Sequence, residues 1–177
     1  MRRRQPALLA LAAALAWAAP GLAAGAYVGA TADTTGEIRI AAGKGRTIVV
    51  ARDSGQVGSD RIAISEDGRS VGWLALYPNC CTSYPIPLRL RIHTRGRTRE
   101  FTGVGLPIWR WRFVAGGRQV AFQQETVHGG LGVPYELRDV ASGRLVAAYH
   151  PPVTGDNRTL PPGEDAPAWV RALEAKP

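Results

Sequence analysis

Hydrophobic and polar residues alternate one by one over long stretches of this chain. Residues 88–93 place leucine and isoleucine on one side and arginine and histidine on the other. Residues 108–113 likewise place three aromatic side chains on one side and two arginines on the other. A period of two is typical of β-strands that bury one face. Residues 71–77 are largely apolar on both sides, which predicts a strand covered on both faces.

Shorter segments of the same character complete the set of predicted strands. They are residues 37–40, 47–51, 61–65, 97–102, 119–123, 135–140 and 145–149. Gly68, Gly117 and Gly143 lie between neighbouring strands, where a tight hairpin needs a positive φ, and each is followed by arginine. The pattern predicts an all-β fold of antiparallel hairpins.

The predicted strands divide into two units of four, at about residues 61–103 and 108–149. The hairpin glycines Gly68 and Gly117 are 49 residues apart, close to the roughly 40–50 residues of a propeller blade. Residues 37–52 are then the last hairpin of an incomplete preceding unit.

Two segments resemble propeller blades. Residues 64–73, Ile-Ser-Glu-Asp-Gly-Arg-Ser-Val-Gly-Trp, resemble the first hairpin of blades in the periplasmic Tol-associated propeller. Residues 137–145, Leu-Arg-Asp-Val-Ala-Ser-Gly-Arg-Leu, are similar to the second hairpin of WD-repeat and quinoprotein-like blades. Residues 72–149 also resemble a group of short exported bacterial proteins of unassigned role.

The resemblance implies an antiparallel meander of two to two and a half blade-like units, with a small β-sandwich as the alternative. A propeller closes with about four blades or more. A chain of 177 residues therefore leaves an open stack, pairs with another subunit, or folds as a sandwich.

Residues 1–24 are predicted to be a signal peptide. Arg2, Arg3 and Arg4 precede an apolar run at residues 7–19, and Ala23 and Ala24 offer a cleavage site. The run is shorter than the roughly 20 residues of a spanning helix, so export is favoured over a retained anchor. We expect a periplasmic or secreted protein with no stable membrane span, and a β domain over residues 25–150.

Composition changes this picture in two ways. The net charge of +8 falls to +5 when the leader removes three arginines. The apolar fraction of 45% excludes a disordered chain, and two cysteines are too few for a disulfide-stapled scaffold. The mature chain is then a moderately basic β domain.

The two cysteines are adjacent, at Cys80 and Cys81, in a compartment that oxidises thiols. They are disulfide candidates, with three states open: a vicinal disulfide, a disulfide between chains, or a reduced pair. Zinc ligands are usually spaced more widely, so we expect no metal. No phosphate-binding or dinucleotide motif occurs, and no cofactor is expected.

The connections at residues 77–86 and 124–134 occupy equivalent places in the two units, so they share one rim with residues 103–107. Propellers commonly bind ligands at such a rim. The candidate ligand-binding residues are therefore Tyr77, Cys80, Cys81, Tyr84, Glu125 and His128.

Arginine is concentrated between residues 89 and 118, where only one acid, Glu100, occurs. The arginines are Arg89, Arg91, Arg95, Arg97, Arg99, Arg110, Arg112 and Arg118. Arg89 and Arg91 share a strand face, as do Arg110 and Arg112, and these four are the predicted basic face. Export disfavours nucleic acid, so the expected partner is a protein or an anionic envelope ligand. A solvated sheet face is the alternative.

Residues 151–163 are a predicted Pro-rich linker. Glu164, Asp165 and Pro167 are typical of a helix start, so residues 164–177 form a short helix or a frayed tail. Trp169, Val170 and Leu173 would dock such a helix onto a sheet.

The residues together indicate an exported binding module. One alternative is a small hydrolase that uses His128 and Glu125. His-Gly-Gly at residues 128–130 resembles an esterase oxyanion loop, but the chain has no Gly-x-Ser-x-Gly motif. Another alternative is a structural subunit that associates with a copy of itself.

Overall fold

The fold is mostly β-structure with one short C-terminal helix, as the alternation predicted. The computed structural model describes residues 26–129, 132–156 and 158–175, so the predicted signal peptide lies outside the described residues. The strands are β1 (Tyr27–Ala32), β2 (Ile38–Ala42), β3 (Arg46–Val50), β4 (Gly58–Ile64), β5 (Ser70–Tyr77), β6 (Ile86–Thr94), β7 (Arg97–Phe101), β8 (Ile108–Val114), β9 (Gln119–Gln124), β10 (Tyr135–Asp139) and β11 (Leu145–Tyr149), and the helix is α1 (Ala168–Glu174).

The strands form three antiparallel sheets in chain order. The N-terminal sheet is β1–β2–β3, the middle sheet is β4–β5–β6–β7 and the C-terminal sheet is β8–β9–β10–β11. The last two sheets match the predicted four-stranded units, and no strand pairing in the described ranges closes them into a barrel. Strand β1 was not predicted, because Gly29, Ala30 and Ala32 give its sequence little strand character.

The middle sheet is packed on both faces, which explains the apolar character of residues 71–77. On one face Val71 and Trp73 pack against Ile38 and Ile40 of the N-terminal sheet. On the other face Leu74, Leu90 and Ile92 pack against Trp111 and Phe122 of the C-terminal sheet. The three sheets therefore form a stack with two apolar interfaces.

Trp111 fixes the contact between the middle and C-terminal sheets. Its ring lies directly on the backbone of Gly72, where an added Cβ would be 2.4 Å from Cη2 of Trp111. Its Nε1 donates to the carbonyl of Arg61, 3.1 Å away. The register of β4 on β5 shifts at this point, and Arg61 has a φ of 50°. The indole thus satisfies a carbonyl that the bulge exposes.

Helix α1 covers the outer face of the C-terminal sheet. Val170 and Leu173 are buried against Val133 and Tyr135, and Trp169 packs at the edge of this cluster. The predicted docking of a C-terminal helix is thereby confirmed. In the described part of the chain, no helix is long and apolar enough to cross a membrane.

The meander separates the connections into two ends of the stack. Tight hairpin turns lie at one end, here called the turn end, and comprise residues 43–45, 65–69, 95–96, 115–118 and 140–144. The other end, the loop end, contains the β1–β2 turn at residues 33–37 and the longer connections at residues 51–57, 78–85, 102–107 and 125–134. Contacts between sheets join the turns: the Tyr27 amide donates to the Gly68 carbonyl at 2.7 Å, and Gly117 lies against Ser65.

Candidate ligand-binding site

The residues predicted to bind a ligand all lie at the loop end. Tyr77 ends β5, Cys80 and Tyr84 follow in the next connection, and His128 lies in the connection after β9. Cys81 and His128 therefore belong to the same end of neighbouring sheets. Ligand binding by these residues stays a prediction.

Cys80 and Cys81 are both exposed, and their Sγ atoms are 2.8 Å apart. The hydrogen bond with Cys80 raises the pKa of the Cys81 thiol. Thr82 holds the loop by donating to the Tyr84 carbonyl at 2.6 Å. The two sulfur atoms are close enough to act together, and their disulfide state stays a prediction.

Glu125 fastens its loop to the C-terminal sheet. Its amide donates to the Pro107 carbonyl at 3.1 Å, and its carbonyl accepts from Nε1 of Trp109 at 3.0 Å. Its carboxylate accepts from Nε2 of Gln123 at 3.2 Å, whereas the His128 side chain is exposed. Among the described residues, no group of three histidine, cysteine, aspartate or glutamate side chains could hold a metal ion.

Tyr77, Arg89 and Arg91 meet in a polar network between the N-terminal and middle sheets. The Tyr77 hydroxyl donates to Asp53 at 2.9 Å, and Arg89 is ion-paired with the same carboxylate. Arg89 also donates to Glu100 at 2.9 Å. Nε of Arg91 lies 3.2 Å from Glu100, within ion-pair distance but poorly aligned for a hydrogen bond.

Burial and charge set the protonation states of this network. Desolvation, assisted by the bond to Asp53, raises the pKa of Tyr77 to about 12. The same hydroxyl, with the Ser54 amide, lowers the pKa of Asp53. Near neutral pH Tyr77 is therefore a proton donor to a carboxylate, and the charges of the network are paired within the protein.

Arg110 and Arg112, on the C-terminal sheet, contact helix α1. Arg110 is ion-paired with Glu174, which also accepts from the Tyr135 hydroxyl at 2.9 Å. Arg112 donates to the carbonyl of Ala172. Both arginines thus bind the last turn of α1, where unpaired carbonyls favour a cation.

The four arginines of the predicted basic face therefore lie on two different faces of the stack. Arg89 and Arg91 point toward the N-terminal sheet, whereas Arg110 and Arg112 point away from it toward α1. All four are engaged by partners within the chain. Together they do not make one exposed basic surface.

The exposed basic residues lie instead at the turn end. Each of its five turns contains glycine followed by arginine: Gly45-Arg46, Gly68-Arg69, Gly96-Arg97, Gly117-Arg118 and Gly143-Arg144. All five glycines have a positive φ, so glycine makes the turn and arginine begins the next strand.

Most of these cations have no partner within the protein. In the described residues, the basic side chains that make no hydrogen bond or ion pair are Lys44, Arg46, Arg52, Arg69, Arg95, Arg97 and Arg144. All but Arg52 lie at the turn end. The acids nearby are Glu66, Asp67 and Asp139. Of these, Asp67 accepts from the Ser65 hydroxyl at 2.7 Å and Asp139 from the Ser142 hydroxyl at 2.6 Å.

A groove of about 920 Å³ opens at the turn end between the middle and C-terminal sheets. Five arginines contribute to its walls: Arg69, Arg95, Arg97, Arg99 and Arg118. Arg99 donates to the Ala141 carbonyl at 2.8 Å, which ties the two walls together. Hydroxyls of Ser70, Thr94 and Thr98 add polar groups. Asp67, Glu100 and Asp139 also line the groove, so five arginines face three carboxylates. The excess of positive charge favours an anion.

The alternation along single strands did not predict this groove, because its arginines come from turns in two sheets. The signal that could have found it is the Gly-Arg pair that recurs in all five turns of the turn end. No family model matches the chain, and a search of curated proteins finds no match.

Proposed function

We propose that this protein is an exported binding module that holds an anionic ligand in the groove at the turn end. The observation that carries the proposal is that five arginines line one concave surface and that three of them, Arg69, Arg95 and Arg97, make no hydrogen bond or ion pair within the described residues. Arginine binds carboxylate and phosphate groups through paired N–H donors, so unpaired arginines in a groove favour such a ligand.

The fold supports this proposal because it forms the groove from turns that are packed against each other. Both walls are turns of fully packed sheets, and Gly117 lies so close to Ser65 that an added Cβ would be 2.6 Å from the Ser65 Cβ. A binding surface that is already formed loses little conformational entropy on binding. The expected export through residues 1–24 would place the groove among envelope anions, and N-terminal sequencing of the mature protein near Gly25 checks that step.

Titration calorimetry with tripolyphosphate at low salt tests the groove directly. The double variant Arg69→Ala/Arg97→Ala removes two guanidinium groups that make no hydrogen bond or ion pair within the described residues, so the fold should persist. We expect its dissociation constant to rise about tenfold or more, equivalent to ~1.4 kcal/mol. Higher salt should weaken binding by the wild type, since screening reduces the attraction.

The matched control is Arg52→Ala/Arg158→Ala, which removes the same charge from positions that do not line the groove. This control should bind like the wild type. An equal loss of affinity for tripolyphosphate in the two variants would mean that only the net charge of the protein matters. Absence of binding by the wild type would overturn the proposal.

A further inference from the structure

A second cleft lies at the turn end on the other side of the β6–β7 turn. It has a volume of about 440 Å³ and lies between the N-terminal and middle sheets. Its walls include Arg46, Ile48, His93 and Arg95. Arg95 also lines the larger groove, so the two depressions are separated only by the tip of one hairpin.

The basic residue at that tip is held in an unfavourable backbone conformation. Arg95 has a φ of 50°, and Lys44 at the neighbouring tip has a φ of 65°. Residues other than glycine, asparagine and aspartate rarely adopt this conformation. Both turns therefore carry a cation where local geometry favours a small residue, and both side chains lack an internal partner.

The second cleft also contains a buried polar group that the protein does not satisfy. His93 is 5% exposed, and its Nδ1 lies 3.0 Å from the Thr98 hydroxyl. Its Nε2 is buried and has no hydrogen-bond partner among the described residues. Buried polar atoms are nearly always paired, so this histidine on the cleft wall is a second sign that the cleft accepts a polar group.

The spacing of the turns defines the shape of the ligand. Turns at the same end of one sheet are two strands apart, roughly 10 Å, and neighbouring sheets are also roughly 10 Å apart. The Gly-Arg turns thus form an array of cations that crosses all three sheets over roughly 20 Å. A small anion could contact the cations of one groove, but only an extended chain of charges reaches from Arg46 in the N-terminal sheet to Arg118 in the C-terminal sheet.

We infer that the ligand is a linear acidic polysaccharide that lies across both clefts and over the β6–β7 turn. This inference rests on the proposed function and extends it. The only aromatic residue lining either cleft within the described residues is Tyr27, which is buried. Single-stranded nucleic acid usually needs exposed aromatic side chains for base stacking, so charge and hydroxyl recognition favour a sugar chain.

Length-dependent binding tests the inference. Heparin-derived oligosaccharides serve as probes, in a disaccharide form and in a form longer than the turn end. The wild type should bind the long chain much more tightly than the disaccharide. Lys44→Ala/Arg46→Ala should weaken binding of the long chain about tenfold and leave tripolyphosphate binding unchanged, because that small anion needs only the larger groove.

The outcomes separate the two proposals. Arg69→Ala/Arg97→Ala should weaken the binding of both probes, whereas Arg52→Ala/Arg158→Ala should weaken the binding of neither. Far-UV circular dichroism confirms that each variant is folded. If Lys44→Ala/Arg46→Ala binds the long chain like the wild type, the extended site is wrong and the groove stands. If nothing binds the groove, both proposals fail. Equal or tighter binding of a single-stranded oligonucleotide would overturn the polysaccharide assignment.

Discussion

At the scale of single residues, the stack depends on positions where one side chain meets backbone. Gly72 is such a position, because the Trp111 ring occupies the space of its missing side chain. His93 matters for a different reason, because its titratable ring is enclosed between two sheets. Substitution of either residue has a measurable effect on stability.

Gly72→Ala should destabilise the protein by about 1–3 kcal/mol, the usual cost of overpacking a filled core. The new methyl group would force the indole of Trp111 away from the Arg61 carbonyl. Urea denaturation measures the loss. Gly29→Ala is the matched control in β1, since its added Cβ would make an ordinary contact of 3.7 Å with Ala41. Equal effects of the two substitutions would contradict the packing argument.

His93 should make stability depend on pH. Burial lowers the pKa of its imidazole below the unfolded value of about 6.5. The resulting stability is fully present above about pH 6.5 and is lost as pH falls through the lower folded value. We expect the free energy of unfolding to fall on acidification below pH 6.5. His93→Gln should reduce this slope, whereas the exposed His128→Gln should not. An unchanged slope in His93→Gln would show that other groups govern it.

At the scale of elements, α1 shows how a helix too short to be stable alone is held in place. Seven residues form few internal hydrogen bonds. Packing of Val170 and Leu173, and the two arginines at its last turn, provide the rest. The helix therefore depends on the sheet beneath it.

Val170→Ala should cost about 2 kcal/mol, since it removes two buried carbons and leaves a cavity. Val153→Ala is a control with the same chemistry at a residue that is 56% exposed, and it should be nearly neutral. Thermal or urea denaturation distinguishes them. A small effect at Val170 would mean that α1 is not docked in solution.

The same scale shows what could be predicted from the sequence. Alternation and hairpin glycines predicted ten of the strands, because these signals are local. The alternation of side chains along a strand correctly placed Arg89 with Arg91 on one face, and Arg110 with Arg112 on another. It could not say what those faces contact, since the Asp53–Tyr77 pair and the Arg110–Glu174 pair join residues far apart in the chain. The bulge at Arg61 likewise depends on Trp111.

At the scale of the whole molecule, the two ends of the stack differ in how their charges are used. At the loop end, Asp53, Tyr77 and Arg89 pair with one another, and Arg52 is the described cation there without a hydrogen bond or ion pair. At the turn end, six described cations make no hydrogen bond or ion pair, although Arg118 donates to the Ala115 carbonyl. The candidate site was predicted at the loop end because the longer connections there contain unusual residues. The groove that we propose as the site lies at the turn end because sheet stacking brings turns from separate units together there, and no single segment encodes that stacking.

The position of the cysteine pair has a practical consequence for orientation. Cys80 and Cys81 are exposed at the loop end, on the side away from the arginine-bearing turns. Ala26, the first residue that the structure describes, lies at the turn end, where its carbonyl accepts from the Gly43 amide at 3.1 Å. Coupling the protein to a sensor surface through its thiols would orient the turn end, with its cations, toward the solution. A tag fused before Ala26 would instead stand beside the two clefts and obstruct them.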